Sequence, residues 1–182
     1  IASLPGMFER TITVQTVSKI YNMSGWRIGW AISSNDIINK ILLAHSHSVT
    51  SPTSFSQAGV IPVLEKNIGE GDETINKIVK RYQKQRDLMV NLLRSISGVN
   101  CHIPEGAFFV FPDVSSFGSN SLEISDYLLD HHNVATVPGS AFGPSGEGFL
   151  RLVFKTDINS IKSGIVQMKN GLNDFNKKNN KV

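Results

Sequence analysis

Thr16-Val17-Ser18-Lys19-Ile20-Tyr21-Asn22-Met23-Ser24-Gly25-Trp26-Arg27-Ile28-Gly29-Trp30 is the stretch that decides how this chain is read. On its N-terminal side, after the turn-like Leu4-Pro5-Gly6, the segment Thr11 to Val17 is rich in β-branched residues and predicts a strand. Ile28 to Ser33 predicts a second strand. Between them Ser18 to Arg27 carries Gly25 and the polar Ser18, Asn22 and Ser24, so the two strands deliver a polar connection to the edge of a sheet. Connections of this kind commonly carry function, because the scaffold positions them while their polar backbone stays at the surface.

Outward from this connection the periodicity turns helical. Ile37, Ile38, Ile41 and Leu42 give a helix over Asp36 to Ala44, with Ser34 or Asn35 as its N-cap. A helix through Ala58 to Leu64 is interrupted by Pro62, which lacks an amide hydrogen. The clearest helix is Asp72 to Ile96. There Ile75, Ile78, Val79, Tyr82, Met89, Leu92, Leu93 and Ile96 form one stripe, with Lys77, Lys80, Lys84 and Arg94 off it. At 1.5 Å per residue it would reach roughly 37 Å, enough to link two domains, and Ser97-Gly98 ends it.

Beyond this helix the texture changes to short strands punctuated by Pro and Gly. Ala107 to Phe111, Val134 to Val137 and Phe149 to Phe154 are the expected strands, with a helix over Leu122 to His131. Ile158, Ile161, Ile165, Met168, Leu172 and Phe175 mark a closing helix in spite of Gly164 and Gly171, and the Asn/Lys tail from Asn176 is expected to fray. This makes an α+β unit separate from the first segment.

Several function classes are excluded on composition. The formal charge of +3 is scattered, so no concentrated basic face for nucleic acid is expected. Apolar runs fall far short of the ~20 residues of a membrane span, and the first residues lack a signal pattern. Cys101 has no second cysteine to pair with, which fits a reducing compartment. His45 and His47 are two apart and His131 and His132 are adjacent, so none has the spacing of a helical metal pair, and no metal is expected. Cys101 next to His102 reads as a half-buried small hydrophobe.

A second signal lies in Val137-Pro138-Gly139-Ser140-Ala141-Phe142-Gly143 and Gly146-Glu147-Gly148-Phe149-Leu150-Arg151-Leu152. In a strand Arg151 points the same way as Phe149 and Val153. An arginine among such neighbours needs an anionic partner, either a ligand or a structural carboxylate such as Glu147.

Together the two stretches closely resemble the class I aminotransferases of the aspartate aminotransferase type, and the likeness runs from Ile1 to about Asn173. The resemblance implies fold type I of the pyridoxal-phosphate-dependent transferases, an α/β fold. Residues 1–68 are then the C-terminal part of the large pyridoxal-phosphate-binding domain, 69–97 the interdomain helix and 98–182 the small α+β domain. Lys19 is implied as the lysine that holds pyridoxal 5′-phosphate. Thr16, three before it, and Arg27, eight after it, are implied as phosphate ligands, and Arg151 as the grip on the substrate α-carboxylate. The chemistry agrees: a lysine amine attacks an aldehyde only when unprotonated, and a nearby guanidinium disfavours its second positive charge. Arg27's planar fork suits a dianionic oxygen cluster, with the Thr16 hydroxyl adding a hydrogen bond.

Pro104-Glu105-Gly106-Ala107-Phe108-Phe109-Val110-Phe111-Pro112 is similar to the family's small-domain entry, and Ser51-Pro52-Thr53-Ser54-Phe55-Ser56-Gln57 to the segment lining the neighbouring subunit's site. Amino acid and 2-oxo acid substrates, aspartate among them, and a homodimer are the implied partners, with a cytoplasmic, mitochondrial or plastid location. Leu4-Pro5-Gly6-Met7, Glu9-Arg10-Thr11 and Gly25-Trp26 are shared with kynurenine aminotransferases and cysteine-conjugate β-lyases, while Arg27 argues for the aspartate-type branch. Ile1 opens in mid-phrase, and the groups that contact the pyridine ring cannot be located. The expectation is a C-terminal portion of a longer enzyme, catalytically silent and prone to association by itself.

Overall fold

In the computed structural model, which describes residues 1–65 and 73–179, contacts divide the chain into two compact units, Ile1–Lys77 and Ile78–Val182. In the first, β1 (Thr13–Thr16) and β2 (Gly29–Ile32) form an antiparallel hairpin in the register Thr13↔Ile32 to Thr16↔Gly29. The strands are shorter than the β-branched runs that predict them. Both flanks go into side-chain or irregular contacts, such as the Ser33 hydroxyl donating to the Thr11 carbonyl at 2.7 Å.

Two helices follow. Helix α1 (Asn35–Ser48) has Ser34 at its N-cap with no side-chain cap bond, and Ile37, Ile38 and Ile41 are half-buried while Leu42 is exposed. Helix α2 (Ser54–Glu65) begins four residues before the expected Ala58 and runs unbroken through Pro62. Pro62 and Ala58 are both exposed, so the Ala58 carbonyl that loses its intrahelical donor can be hydrated, and the helix survives the proline. Val60 of α2 packs with Val17 and Ile28 into a small buried cluster, supported by Tyr21, Met23, Trp30 and Leu64.

Helix α3 (Glu73–Arg94) matches the long apolar stripe, whose C-terminal half, Met89, Leu93 and the following Ile96, enters the core of the second unit. The expected start at Asp72 lies outside the described residues. In the second unit β3 (Phe109–Val110), α4 (Ser121–His132), β4 (Val137–Pro138), β5 (Leu150–Val153) and α5 (Ile158–Asn179) follow in chain order. The sheet is antiparallel in the order β3-β5-β4, with Phe109↔Val153 and Val137↔Arg151 as cross-strand partners.

Alternation gives this sheet two unlike faces. Val110, Leu150 and Leu152 are buried in one core with Leu128 of α4 and Ile161, Ile165, Met168 and Leu172 of α5. Gly171 belongs to that packing: a Cβ there would lie 2.5 Å from Leu128 Cδ2, so the glycine lets α4 and α5 approach. Helix α5 continues through Asn179, past the expected start of fraying at Asn176, and the last part of the tail lies outside the described residues.

Candidate active site

At the tip of the β1–β2 hairpin the backbone turns at once. The Asn22 amide donates to the Lys19 carbonyl at 3.2 Å, and Asn22 takes a left-handed φ of 55°. Residues Ser24–Trp26 then form a single 3-10 turn. Trp26 fixes this turn against α2, because its ring lies where a Cβ on Gly59 would be, 2.4 Å from the ring atom Cζ3. Arg27, left-handed at φ 56°, re-enters the hairpin with its Nη1 donating to the Ser24 carbonyl at 3.0 Å.

Thr16 closes the base of the tip. Its hydroxyl donates to the Ile28 carbonyl at 2.9 Å, lies 2.9 Å from Ser18 Oγ and accepts the Ser18 amide at 3.1 Å. The register therefore brings Thr16, Lys19 and Arg27 to one end of one hairpin, and all three are exposed. The donors at this end stand without acidic neighbours in sequence, since no Asp or Glu occurs between Glu9 and Asp36.

In the second unit Arg151 sits on the open face of the sheet, as alternation predicts. The guanidinium carbon lies 4.7 Å from the centre of the Phe109 ring and 4.9 Å from that of Phe142. Its Nε is buried with no hydrogen-bond partner. His102, Pro104, Val110 and Phe111 complete with these residues a recess of about 340 Å³.

Glu147, the structural carboxylate that sequence offers to Arg151, is engaged elsewhere. It accepts the amides of Ser121 and Gly148, and the Ser121 bonds, with a smaller contribution from Gly148, hold its carboxyl below the usual carboxylate range. Among the described residues no carboxylate makes an ion pair with Arg151.

The loop that carries Phe142 is shaped by two glycines. A Cβ on Gly139 would fall 1.8 Å from the Gly146 carbonyl oxygen, and one on Gly146 would fall 2.1 Å from that of Gly139. The Ser140 amide donates to the buried Ser121 hydroxyl at 3.2 Å, so α4 and this loop are tied together. Phe109 and Phe142 are the neighbours of Arg151 that sequence reasoning passed over. Alternation across β3 and β5 could have flagged Phe109, but nothing local signals Phe142, which reaches Arg151 only because the loop folds back.

Among the described residues no group of three or more His, Cys, Asp or Glu is placed to hold a metal, and no helix is long and apolar enough to cross a membrane. Burial raises the Cys101 thiol above its usual range, with Arg94 opposing weakly.

The family model for aminotransferase class I and II matches residues 2–165. The aspartate aminotransferase of Musicola paradisiaca is 36% identical over 96% of this chain and 43% of its own length. Among solved structures, the aspartate aminotransferase of Rhizobium meliloti superposes with a TM-score of 0.84 at 33% identity, over 93% of this chain and 44% of that one. A Methanococcus jannaschii protein, described as similar in its active site to kynurenine aminotransferases, has a TM-score of 0.78 at 30% identity, over 91% of this chain and 43% of that one. The chain spans less than half the length of these relatives. A family match across so much of the sequence, on a fold shared with solved aminotransferases, places the chain in the class I and II aminotransferase family, whose cofactor is pyridoxal 5′-phosphate.

Proposed function

We propose that these residues supply the covalent anchor and the carboxylate grip of a pyridoxal-phosphate-dependent aminotransferase acting on an L-amino acid, aspartate, and a 2-oxo acid. The observation that carries this reading is the hairpin tip. Thr16, Lys19 and Arg27 converge on one exposed end, with no acidic residue in the surrounding sequence. A hydroxyl, an amine and a guanidinium at one end of a hairpin, in a stretch of sequence that carries no Asp or Glu, fit a phosphate dianion, so the chemistry of the donor set suits the cofactor. Arg27 and Thr16 would hold its phosphate and Lys19 its aldehyde carbon.

Pyridoxal phosphate supplies an electrophilic carbon and a sink for the electrons released at the substrate's α-carbon. Arg151, which makes no ion pair among the described residues, would grip the substrate carboxylate through two parallel hydrogen bonds. Lys19, the amine that would hold the cofactor, would also be the base that takes the substrate's α-proton. In the domain scheme, residues 1–68 end the large cofactor domain, 69–97 link the domains and 98–182 form the small domain, within a homodimer. The names of the aspartate aminotransferase relatives support aspartate as the substrate.

A second reading, a kynurenine aminotransferase or cysteine-conjugate β-lyase type enzyme, is favoured by the aromatic lining of the Arg151 recess. Comparing kcat/KM for aspartate and kynurenine separates the two.

The anchor is tested on the cofactor-loaded full-length protein by borohydride reduction and peptide mapping. The pyridoxyl label is expected on Lys19 and is expected to vanish in Lys19→Ala. Label on another lysine overturns the assignment.

A further inference from the structure

Arg151 poses a problem of orientation that its role in the proposed function does not by itself solve. Its Nε is enclosed without an acceptor, and it makes no ion pair among the described residues. An arginine without hydrogen-bonded partners has several low-energy rotamers, and a bidentate grip needs one of them. Among the described residues no polar group of the second unit bonds to the guanidinium and selects it.

We infer that Phe109 and Phe142 are positioning residues: their rings contact the Arg151 guanidinium and hold its plane so that the in-plane donors face a ligand carboxylate. The inference rests on the reading of Arg151 as the carboxylate grip. Guanidinium donors radiate in the plane of the group, whereas its faces carry no N–H, so aromatic rings can take the faces and leave the donors unspent. Both rings lie within the roughly 6 Å over which a ring quadrupole attracts a cation, at 4.7 and 4.9 Å.

The rings are themselves held from unrelated parts of the chain. Phe109 lies in β3, cross-strand from Val153, so the sheet fixes it. Phe142 meets Phe111 edge-on at 5.9 Å, and Phe111 stacks on Phe149 at 5.1 Å and 9°. The loop behind Phe142 is locked by the Gly139 and Gly146 contact and by the Ser140 bond to Ser121. The orientation of Arg151 is thus set before any ligand arrives, which removes an entropic cost from binding.

The test uses the full-length, cofactor-loaded enzyme and maleate, an unreactive dicarboxylate, as the probe. Phe109→Leu, Phe142→Leu, Phe142→Tyr and Arg151→Ala are compared by calorimetric titration with maleate, by KM and kcat, and by borohydride labelling of Lys19. Each leucine variant is expected to weaken maleate about fivefold to tenfold, the range a ring-to-cation contact commonly supports. KM is expected to rise by a similar factor while kcat and the Lys19 label stay near wild type, the pattern of lost uniform binding. Phe142→Tyr is expected to restore affinity because it keeps the ring. Phe142 is 53% exposed, so its truncation leaves the core intact. Unchanged maleate affinity in both leucine variants, with affinity lost in Arg151→Ala, overturns the inference and leaves the grip standing. Unchanged affinity in Arg151→Ala removes the grip, and the inference with it.

Discussion

Arg27 and Arg151 sit in opposite surroundings. Arg27 is exposed, in a left-handed backbone conformation, and bonded to the Ser24 carbonyl three residues away. Arg151 is half-buried on a sheet and faced by rings from β3 and from the loop after β4. The units around them differ in the same sense. Beneath the hairpin the buried cluster among described residues is Val17, Ile28 and Val60, whereas the second unit buries Val110, Leu150 and Leu152 of its sheet together with apolar residues of α3, α4 and α5. A tip that lies on so small a core is shaped mainly by local bonds, while a residue on a well-backed sheet is shaped by distant ones. Local devices are readable in sequence because their partners lie within a few residues; distant ones are not.

Substitutions at close backbone approaches should sharpen this contrast most. Gly139→Ala places a Cβ 1.8 Å from a backbone oxygen, which no rotamer change can relieve. We expect the second unit to lose about 3 kcal/mol or more, near the top of the range for single changes, read as a fall in its calorimetric unfolding temperature. A loss under about 1 kcal/mol would show that the loop is not locked.

In the first unit the comparable change is milder. Gly59→Ala meets a side chain, the Trp26 ring, 42% exposed on a loop that can give. Alanine favours the helix by up to about 1 kcal/mol, which offsets the clash, so thermal stability should move little. The hairpin tip should move instead: Trp26 emission, followed in a Trp30→Phe background, should shift toward that of exposed indole, and cofactor loading should weaken severalfold. Unchanged emission would mean that α2 does not position the tip.

The smallest effect should be at Glu147, whose carboxyl is held low chiefly by hydrogen bonds from Ser121 and also by the Gly148 amide. A carboxyl lowered on folding stabilises the fold above its unfolded pKa and loses that contribution as the pH falls through its folded value. Glu147→Gln should therefore lower the unfolding temperature of the second unit at neutral pH. The gap to wild type should close as the pH falls below the ordinary carboxylate range. A gap that does not depend on pH would assign the loss to packing.

The helices were legible because an amphipathic stripe at a 3.6-residue period is a one-dimensional signal, as the residues from Met89 to Ile96 show. Pro62 misled because the rule against proline inside a helix presumes a buried carbonyl, and α2 exposes that turn. Helix α2 also starts at Ser54, four residues before the expected Ala58, because the residue its first turn buries is the polar Ser56, which an apolar pattern does not mark.

Of the candidate site, sequence alone singled out the residues proposed to bear the chemistry: the hydroxyl, amine and guanidinium of Thr16, Lys19 and Arg27 at fixed spacing, and an arginine alternating with apolar neighbours at Arg151. Their spacing carried that much because a two-stranded hairpin maps sequence separation directly onto spatial separation. The tertiary structure decided what surrounds them. It sent Glu147 to the start of α4 instead of to Arg151, and it brought the ring of Phe142, nine residues earlier in the chain, to 4.9 Å from the arginine's guanidinium carbon. Both outcomes depend on a loop folding back through the Gly139 and Gly146 contact. A loop's path is set by the backbone atoms it meets, which belong to other parts of the chain and leave no period in its own sequence.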